Sequence, residues 1–308
     1  MKKTLFLGLA ILLSVNAFGQ INMIDSTAQV IGYWDMNEKQ TYSITEEKIQ
    51  IEESDTISRD FYRYMVDVTI VDSTADSYLI DWHYRDYDIQ SDNELMLKLS
   101  DLTKDITVRI RTDGLGVFQE VINWEELRDY ILEATKMLYD DTNDIPNWDK
   151  MVKQIEDMFS TKESIELAAV KEMRQFYSFH GAMYEYNQEY SVDMKTPNLY
   201  GGEPFDSKVT VWLDELNPEE NNFVIRMYQS VDSEQLTNAT YDFLVKMAEI
   251  IDVPGTNTMN REDIPPLTTN IYTASRIHDS GWVIYSIETK EVSVVGVTNI
   301  EERIIEIE

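Results

Sequence analysis

Two stretches of the sequence, "DSYLIDWHYRDY" (residues 76–87) and "NNFVIRMYQSVD" (residues 221–232), share one pattern. Each begins with two small polar residues, continues with an aromatic residue and an aliphatic pair, then alternates and ends in polar residues. Alternation with a period of two is typical of a β-strand that has one buried face. The likeness predicts that the chain contains two related antiparallel units, produced by an internal duplication.

The flanking segments extend this pattern in the first half of the chain. Residues 42–52, 59–72 and 78–84 are rich in β-branched and aromatic residues and are predicted strands. Residues 105–111 and 117–121 form a predicted hairpin around "TDGLG", where Asp113 and Gly114 tolerate positive φ. The first half is therefore expected to be a β-meander.

The second half shows the same order of elements. Strands are predicted at residues 184–194, 207–214 and 223–228, and a last alternating strand at residues 300–308. A hairpin is predicted from residues 282–286 and 292–297, with "IETKE" as its turn.

Four amphipathic helices are expected at residues 124–139, 148–159, 162–177 and 233–251. Asn123, Ser160 and Asp232 each stand where an N-cap is expected. Each apolar stripe must pack on another element, and the sheets are the large partners available. The predicted fold class is therefore α+β, with two related antiparallel β-meanders and amphipathic helices packed on them.

The organisation expected from these elements has four parts. Residues 1–19 form a signal peptide and residues 20–140 the first meander with its C-terminal helix. Residues 141–180 form a helical connector, and residues 181–308 the second meander with an inserted helix. The leader has two basic residues, a short apolar run and a small-residue cleavage site before Gln20. This predicts a periplasmic or extracellular protein, soluble after cleavage near Gln20.

Composition limits the classes of partner. The chain has 57 acidic and 26 basic residues, and removal of the leader with its two lysines leaves a net charge of −33. Such a chain is repelled by nucleic acid and by anionic membrane surfaces, which leaves cationic and apolar partners. The sequence has no cysteine, so no disulfide, thiol nucleophile or thiolate metal site is available.

No catalytic or metal-binding constellation emerges from the sequence. His83, His180 and His278 are not spaced as ligand pairs on one helix. His180, at the end of a predicted helix, could favour the C-terminal dipole of that helix. The acidic run at residues 140–149 lacks the glycine and the final glutamate of an EF-hand loop. We therefore predict no metal, no cofactor and no catalytic residue, and two long loops at residues 88–104 and 252–268.

Three segments carry a resemblance: "MKKTLFLGLAILLSVNAFGQ", "DGLGVFQEVINWEEL" and "SGWVIYSIETKEVSV". With them, the chain resembles uncharacterised exported protein families of Gram-negative, Bacteroidetes-type bacteria. The layout also looks like the curved-sheet carriers of the periplasmic lipoprotein-carrier type, a likeness of fold that transfers no functional residue.

The function expected from these observations is non-enzymatic binding or interaction, with carriage of an apolar ligand as its specific form. The alternatives are a hydrolase that uses surface-cleft carboxylates and a structural or surface-assembly component. Any apolar pocket is expected where helix faces meet the concave side of a sheet. Trp124, Ile131, Phe243 and Met247 are the candidate lining residues, because each lies on the apolar stripe of a predicted helix.

Overall fold

The computed structural model describes residues 20–91, 105–141, 148–168, 170–198, 200, 202–251 and 260–308. Outside these ranges lie the predicted leader, residues 92–104 and 252–259 of the two predicted loops, and residues 142–147 of the acidic run. In the described part, mixed α+β architecture with antiparallel sheet is confirmed. None of its helices is long and apolar enough to cross a membrane.

The strands of the first half are β1 Ile21–Asn22, β2 Thr27–Gln29, β3 Lys39–Glu52, β4 Asp55–Ser73, β5 Ser77–Gln90, β6 Thr107–Asp113 and β7 Phe118–Val121. Those of the second half are β8 Met183–Glu185, β9 Glu189–Thr196, β10 Phe205–Asn217, β11 Asn222–Val231, β12 Thr268–His278, β13 Val283–Val294 and β14 Val297–Ile307. The helices are α1 Trp124–Asp141, α2 Trp148–Met158, α3 Lys162–Ala168, α4 Lys171–Tyr177 and α5 Ser233–Ile251, with a 3-10 turn at Arg261–Asp263.

Both meanders belong to one sheet of eleven strands in the order β7-β6-β5-β4-β3-β14-β13-β12-β11-β10-β9. The last strand, β14, pairs antiparallel with β3, which places Ile305 opposite Ile44. A small second sheet has the order β1-β2-β8. The join between the two meanders is thus a pairing between the first long strand and the last.

Alternation along each strand fixes which face of the large sheet is buried. Tyr42 pairs with Val66 and Val68 with Trp82, and all four side chains are buried. Because side chains alternate between faces, these registers place one continuous apolar row under the helices.

Helix α4 packs its aromatic residues into this row. The ring of Phe176 meets those of Tyr42 and Trp82 edge-on, with centroids 5.4 and 5.3 Å apart. Helix α5 contacts β10 and β12, and α2 contacts both α1 and α5. The helices therefore lie over one face of the sheet, as the apolar stripes predicted.

The predicted hairpin around "IETKE" is wrong. Residues 283–294 form the single strand β13, and the turn follows at Val295 and Gly296, where Gly296 has φ of +79°. Glu288 and Lys290 suggested a turn because they are polar, but they project from β13 onto the same face as Arg303 and Glu301. The strand β12 was not predicted.

Two other predicted elements are interrupted. The helix expected at residues 162–177 is divided into α3 and α4, and Val170 before α4 has φ of −133° and ψ of 40°. The strand expected at residues 184–194 is divided into β8 and β9, and Asn187 between them has φ of +63°. These backbone angles are incompatible with a continuous helix or strand.

The predicted helix caps had mixed outcomes. Asp232 caps α5, because the Gln235 amide donates to its carboxylate at 2.8 Å. Asn123 instead accepts a hydrogen bond from the Arg109 amide of β6 at 2.8 Å, which ties the start of α1 to the sheet. At α3, Thr161 rather than Ser160 is the capping residue.

Candidate functional site

A cavity of about 260 Å³ lies between α1 and the sheet. The sheet supplies tyrosine rings from β4 and β5 and aliphatic residues at the start of β6, and α1 supplies its apolar stripe. One acidic side chain, from α4, completes the wall. The lining residues are Tyr64, Tyr84, Tyr87, Ile106, Val108, Leu127, Tyr130, Ile131 and Glu172.

A bulge in β5 brings two tyrosines of this strand to the same cavity. Residues three apart in a regular strand face opposite sides. Here Asp86 has φ of +57°, and the ladder shifts register opposite Tyr64. The extra residue turns Tyr87 to the side of Tyr84. The rings of Tyr64 and Tyr87 stack with centroids 5.2 Å apart, and those of Tyr64 and Tyr84 lie at 5.8 Å.

Glu172, in the first turn of α4, marks the polar end of the cavity. It is buried, and the Tyr84 hydroxyl donates a hydrogen bond to its carboxylate. Burial raises the pKa of Tyr84 well above its usual range, and the Glu172 charge raises it further. Burial and the Glu172 charge also raise the pKa of Tyr64. Both hydroxyls therefore stay protonated and remain hydrogen-bond donors at neutral pH.

Tyr130 provides a second polar group. Its hydroxyl oxygen is buried and has no hydrogen-bond partner among the described residues. A buried hydroxyl without a partner is energetically costly, because it has lost its hydrogen bonds to water. A ligand or a water molecule in the cavity would recover that cost.

The four candidate lining residues do not share one site. Ile131 lines the cavity under α1. Trp124, at the start of the same helix, packs on the core and carries the Arg128 guanidinium over its ring at 5.2 Å. Phe243 and Met247 are half-buried on α5, at the other half of the sheet.

Phe243 lines a different, open groove of about 590 Å³ beside β9 and β10. Its ring lies 4.9 Å from that of Tyr200, and Lys195, Asp242 and Lys246 contribute charged groups to the wall. Met247 lines neither this groove nor the cavity under α1. This groove is more polar than the cavity under α1 and less suited to an apolar ligand.

A buried ionic cluster around Arg303 lies on the same face of the sheet. Its guanidinium contacts Glu288 at 3.3 Å and Glu301 at 3.2 Å, and Gln175 of α4 accepts a further hydrogen bond at 3.3 Å. Burial opposes the charge, yet Glu288, Glu172 and other carboxylates raise the pKa of Arg303. Arg303 therefore remains a fixed positive charge near the polar end of the cavity.

The two glutamates of this cluster differ in pKa. Burial raises the pKa of Glu288. Burial opposes ionisation of Glu301 as well, but Lys171 and Arg303 lower its pKa to about 2. Pairs of carboxylates with divergent pKa values occur at the active sites of hydrolases. Here both acids bond the same guanidinium, so Arg303 occupies the space that a substrate would need between them.

The histidines form no site with each other. Burial lowers the pKa of His180 to about 4, so it is uncharged at neutral pH and the predicted interaction with the helix dipole is wrong. His278 Nδ1 lies 2.8 Å from Ser280 Oγ, and His83 Nδ1 lies 3.0 Å from Thr107 Oγ1. Within the described ranges, no group of three or more histidine and acidic side chains is placed to hold a metal ion.

Sequence reasoning found one wall of the cavity and missed the other. The stripe of α1 was visible, including Ile131. The tyrosines of "FYRY" and "WHYRDY" were visible as strand residues, but their convergence depends on the bulge at Asp86. Nothing in the sequence marks Glu172, because its contact with Tyr84 joins residues 88 positions apart.

The fold and the cavity define a class: an acidic protein with one wide antiparallel sheet, helices on one face and an apolar cavity beneath a helix. No protein-family model matches the chain, and no curated protein matches it.

Proposed function

We propose that this chain is an exported, non-enzymatic binding protein that holds an apolar ligand in the cavity under α1. The observation that carries the proposal is the wall of that cavity, which consists mainly of aliphatic side chains and tyrosine rings. Pockets of this kind, apolar with a few polar groups at defined positions, are the usual form of small-molecule sites.

The cavity limits the size of the ligand. Its volume of about 260 Å³ is below the usual range of drug-sized pockets. It is larger than an engineered cavity of roughly 150 Å³ that binds benzene. A fused two-ring compound or a chain of roughly ten carbons is the class that fits. A single hydroxyl or carbonyl group on the ligand could bond the free Tyr130 hydroxyl.

Uptake of the neutral dye 1-aminonaphthalene, a fused two-ring compound whose fluorescence depends on solvent polarity, tests this proposal. The parent chain should bind the dye with an increase in fluorescence. Ile131→Trp should fill the cavity and weaken binding at least tenfold. Leu244→Trp is the matched control, since it adds the same ring to an exposed position on α5. No uptake by the parent chain, or equal uptake by Ile131→Trp, would refute the proposal.

The hydrolase alternative rests on Glu288 and Glu301. Arg303 between them favours a structural role, and the alternative is distinguishable by experiment. Glu301→Gln should leave dye binding intact, whereas a hydrolase would lose its turnover of ester or glycoside substrates. The surface-assembly alternative would instead be supported by association of the purified chain into large particles.

Export is part of the proposal. The residue predicted to begin the mature chain, Gln20, is buried, and its side-chain carbonyl accepts a hydrogen bond from the Ile31 amide at 3.2 Å. Mass spectrometry of the chain secreted by a Gram-negative host should give a terminus at or next to Gln20. Recovery of the uncleaved chain from the membrane fraction would contradict this.

We also propose that the chain belongs with the exported Bacteroidetes-type families that it resembles.

Internal duplication remains our interpretation of the two meanders, and one detail supports it. The β4–β5 hairpin shifts register between Ile70 and Asp72, just after the pair Ile70–Ile80. The β10–β11 hairpin shifts register just after the pair Leu213–Ile225. Ile80 and Ile225 are the last residues of "YLI" and "FVI", so the two shifts fall at matching positions. Superposition of β4–β7 on β10–β13 should match these bulges; strands that do not superpose in order would refute duplication.

A further inference from the structure

The large sheet ends in two edges that are treated differently. At one end, β7 is short and is contacted by α3 and α4. Its outward amide, from Val121, donates a hydrogen bond to the Glu166 carboxylate of α3 at 2.7 Å. A short edge that helices cover, with this amide already bonded, is a poor template for another strand.

The opposite edge, β9, has no such protection. Among the described residues β9 pairs with β10 on one side only, and all of Glu189–Lys195 is exposed. One face of the strand carries Tyr190, Val192 and Met194, which are 43%, 58% and 45% exposed. It contains no proline and no bulge. A regular edge with exposed apolar side chains is a template for another strand.

We propose that β9 binds β9 of a second copy of this chain, antiparallel, about a twofold axis that passes through Val192. Val192 then lies opposite the partner's Val192, Tyr190 opposite the partner's Met194, and Glu189 opposite the partner's Lys195. The pairing is isologous, so it uses both open edges and closes at a dimer.

Backbone geometry restricts the register. In an antiparallel ladder only every second residue directs its backbone N–H and C=O towards a given neighbouring strand. Two residues that lie opposite each other across the twofold axis must therefore both be even-numbered or both be odd-numbered. The register about Val192 meets this condition. Shifting the axis by one residue places either Asp193 opposite the partner's Asp193 or Glu189 opposite the partner's Asp193. Like charges directly opposite destabilise a sheet, whereas opposite charges stabilise it.

The side chains are complementary in this register as well. Thioether sulfur packs favourably on aromatic rings, so Met194 and the partner's Tyr190 form two equivalent contacts. The apolar face of β9 continues that of β10, where Val209 is buried and pairs with Val192. Dimer formation would therefore extend an apolar surface that the single chain leaves open at its edge.

The first experiment measures the mass of the mature chain by sedimentation and light scattering at physiological salt. The parent chain should form a dimer with increasing concentration and no larger species. Val192→Lys should abolish the dimer, because two ammonium groups would meet at the axis. Val295→Lys is the matched control: this residue is 81% exposed in the β13–β14 turn, and the charge change is the same. It should dimerise as the parent does.

The second experiment tests the register. Glu189→Lys alone and Lys195→Glu alone should each be monomeric, because each places like charges opposite one another twice. An equimolar mixture of the two variants should form a heterodimer, in which both contacts are again between opposite charges. Lys195 also contacts Asp206 at 2.5 Å, but this pair is exposed and contributes little to stability. Circular dichroism and the unfolding midpoint should show that every variant is folded.

Three results would overturn the proposal. The parent chain could remain monomeric at the highest concentration at which it stays soluble. Val192→Lys could dimerise like Val295→Lys. The mixture of charge variants could stay monomeric while the parent is a dimer, which would exclude this register. Because the chain has no cysteine, Val192→Cys offers an independent readout: mild oxidation should link two copies through this residue alone.

Discussion

His180 should make the stability of this protein depend on pH between neutrality and about pH 4. The imidazole, which follows the C-terminal end of α4, is buried, and its Nε2 lies 2.9 Å from the Gly281 carbonyl oxygen. Because a carbonyl only accepts, Nε2 carries the proton, and Nδ1 is a buried acceptor without a partner among the described residues. Trp34 and Phe176 pack against the ring, so water cannot solvate an imidazolium.

Burial lowers the pKa of His180 from 6.5 to about 4, against smaller opposing effects of Gly281 and Asp113. The unfolded chain therefore binds a proton at higher pH than the folded chain does. The stabilisation is complete above pH 6.5 and is lost as the pH falls towards 4. The difference of about 2.5 units corresponds to about 3 kcal/mol of unfolding free energy.

The test compares the parent chain with His180→Gln, which keeps an amide donor near Nε2 and does not titrate. Urea unfolding of both proteins at several pH values between 7 and 4 gives the difference in their stability. We expect the parent to lose about 3 kcal/mol more than the variant over this interval. The carboxylates are common to both proteins, so their titration cancels. Equal pH dependence of the two proteins would refute the assignment of a buried neutral imidazole.

Three further outcomes follow from burial, charge and backbone geometry. Phe243→Ala should cost about 1–2 kcal/mol, because the ring is half-buried, whereas Phe223→Ala in the core should cost about 3–5 kcal/mol; equal urea midpoints would contradict this. The folded state favours the Glu301 carboxylate, whose pKa is about 2, so the parent should lose about 3 kcal/mol of unfolding free energy from this group as the pH falls from 4.5 to 2. Glu301→Gln should not show this loss; an unchanged acid unfolding profile would contradict it. Gly281→Ala should lower the thermal midpoint far more than Gly296→Ala. Both glycines have positive φ, but a Cβ at Gly281 would lie 2.4 Å from the Ile31 carbonyl oxygen and one at Gly296 would meet nothing; similar midpoints would exclude the close approach.

The local pattern of the sequence was sufficient for the individual strands and for part of the helices. Alternation placed β3, β4, β10 and β11 within a few residues of their observed bounds and found the start of β5, which continues to Gln90, beyond its predicted end at residue 84. The stretch "TDGLG" predicted the β6–β7 hairpin, although the positive φ falls at Gly116 and not at Asp113 or Gly114, and Asp232 predicted the start of α5. These features depend on residues that are neighbours along the chain, which is why a single sequence contains them.

The strand β13 was not predicted as one strand, because its polar residues have their partners on another strand. Glu288 and Lys290 are polar residues on the helix-covered face of the sheet, and considered alone they are typical of a turn. Each is compatible with a strand because it has a partner on β14: the Arg303 guanidinium lies 3.3 Å from the Glu288 carboxylate, and Lys290 pairs with Glu301. Polar residues in a sheet interior require a partner from another strand, and no local pattern reveals that partner.

The sequence by itself determined an acidic, cysteine-free chain of antiparallel strands with amphipathic helices, because composition and period depend only on local order. Only the tertiary structure decided that the two meanders form one sheet through β3 and β14, which leaves β9 as an open edge. It also decided that the bulge at Asp86 turns Tyr87 towards Tyr84 and Ile131. Those features arise from contacts between residues far apart in the chain. Their geometry is set by which surfaces meet when the whole molecule buries its apolar face.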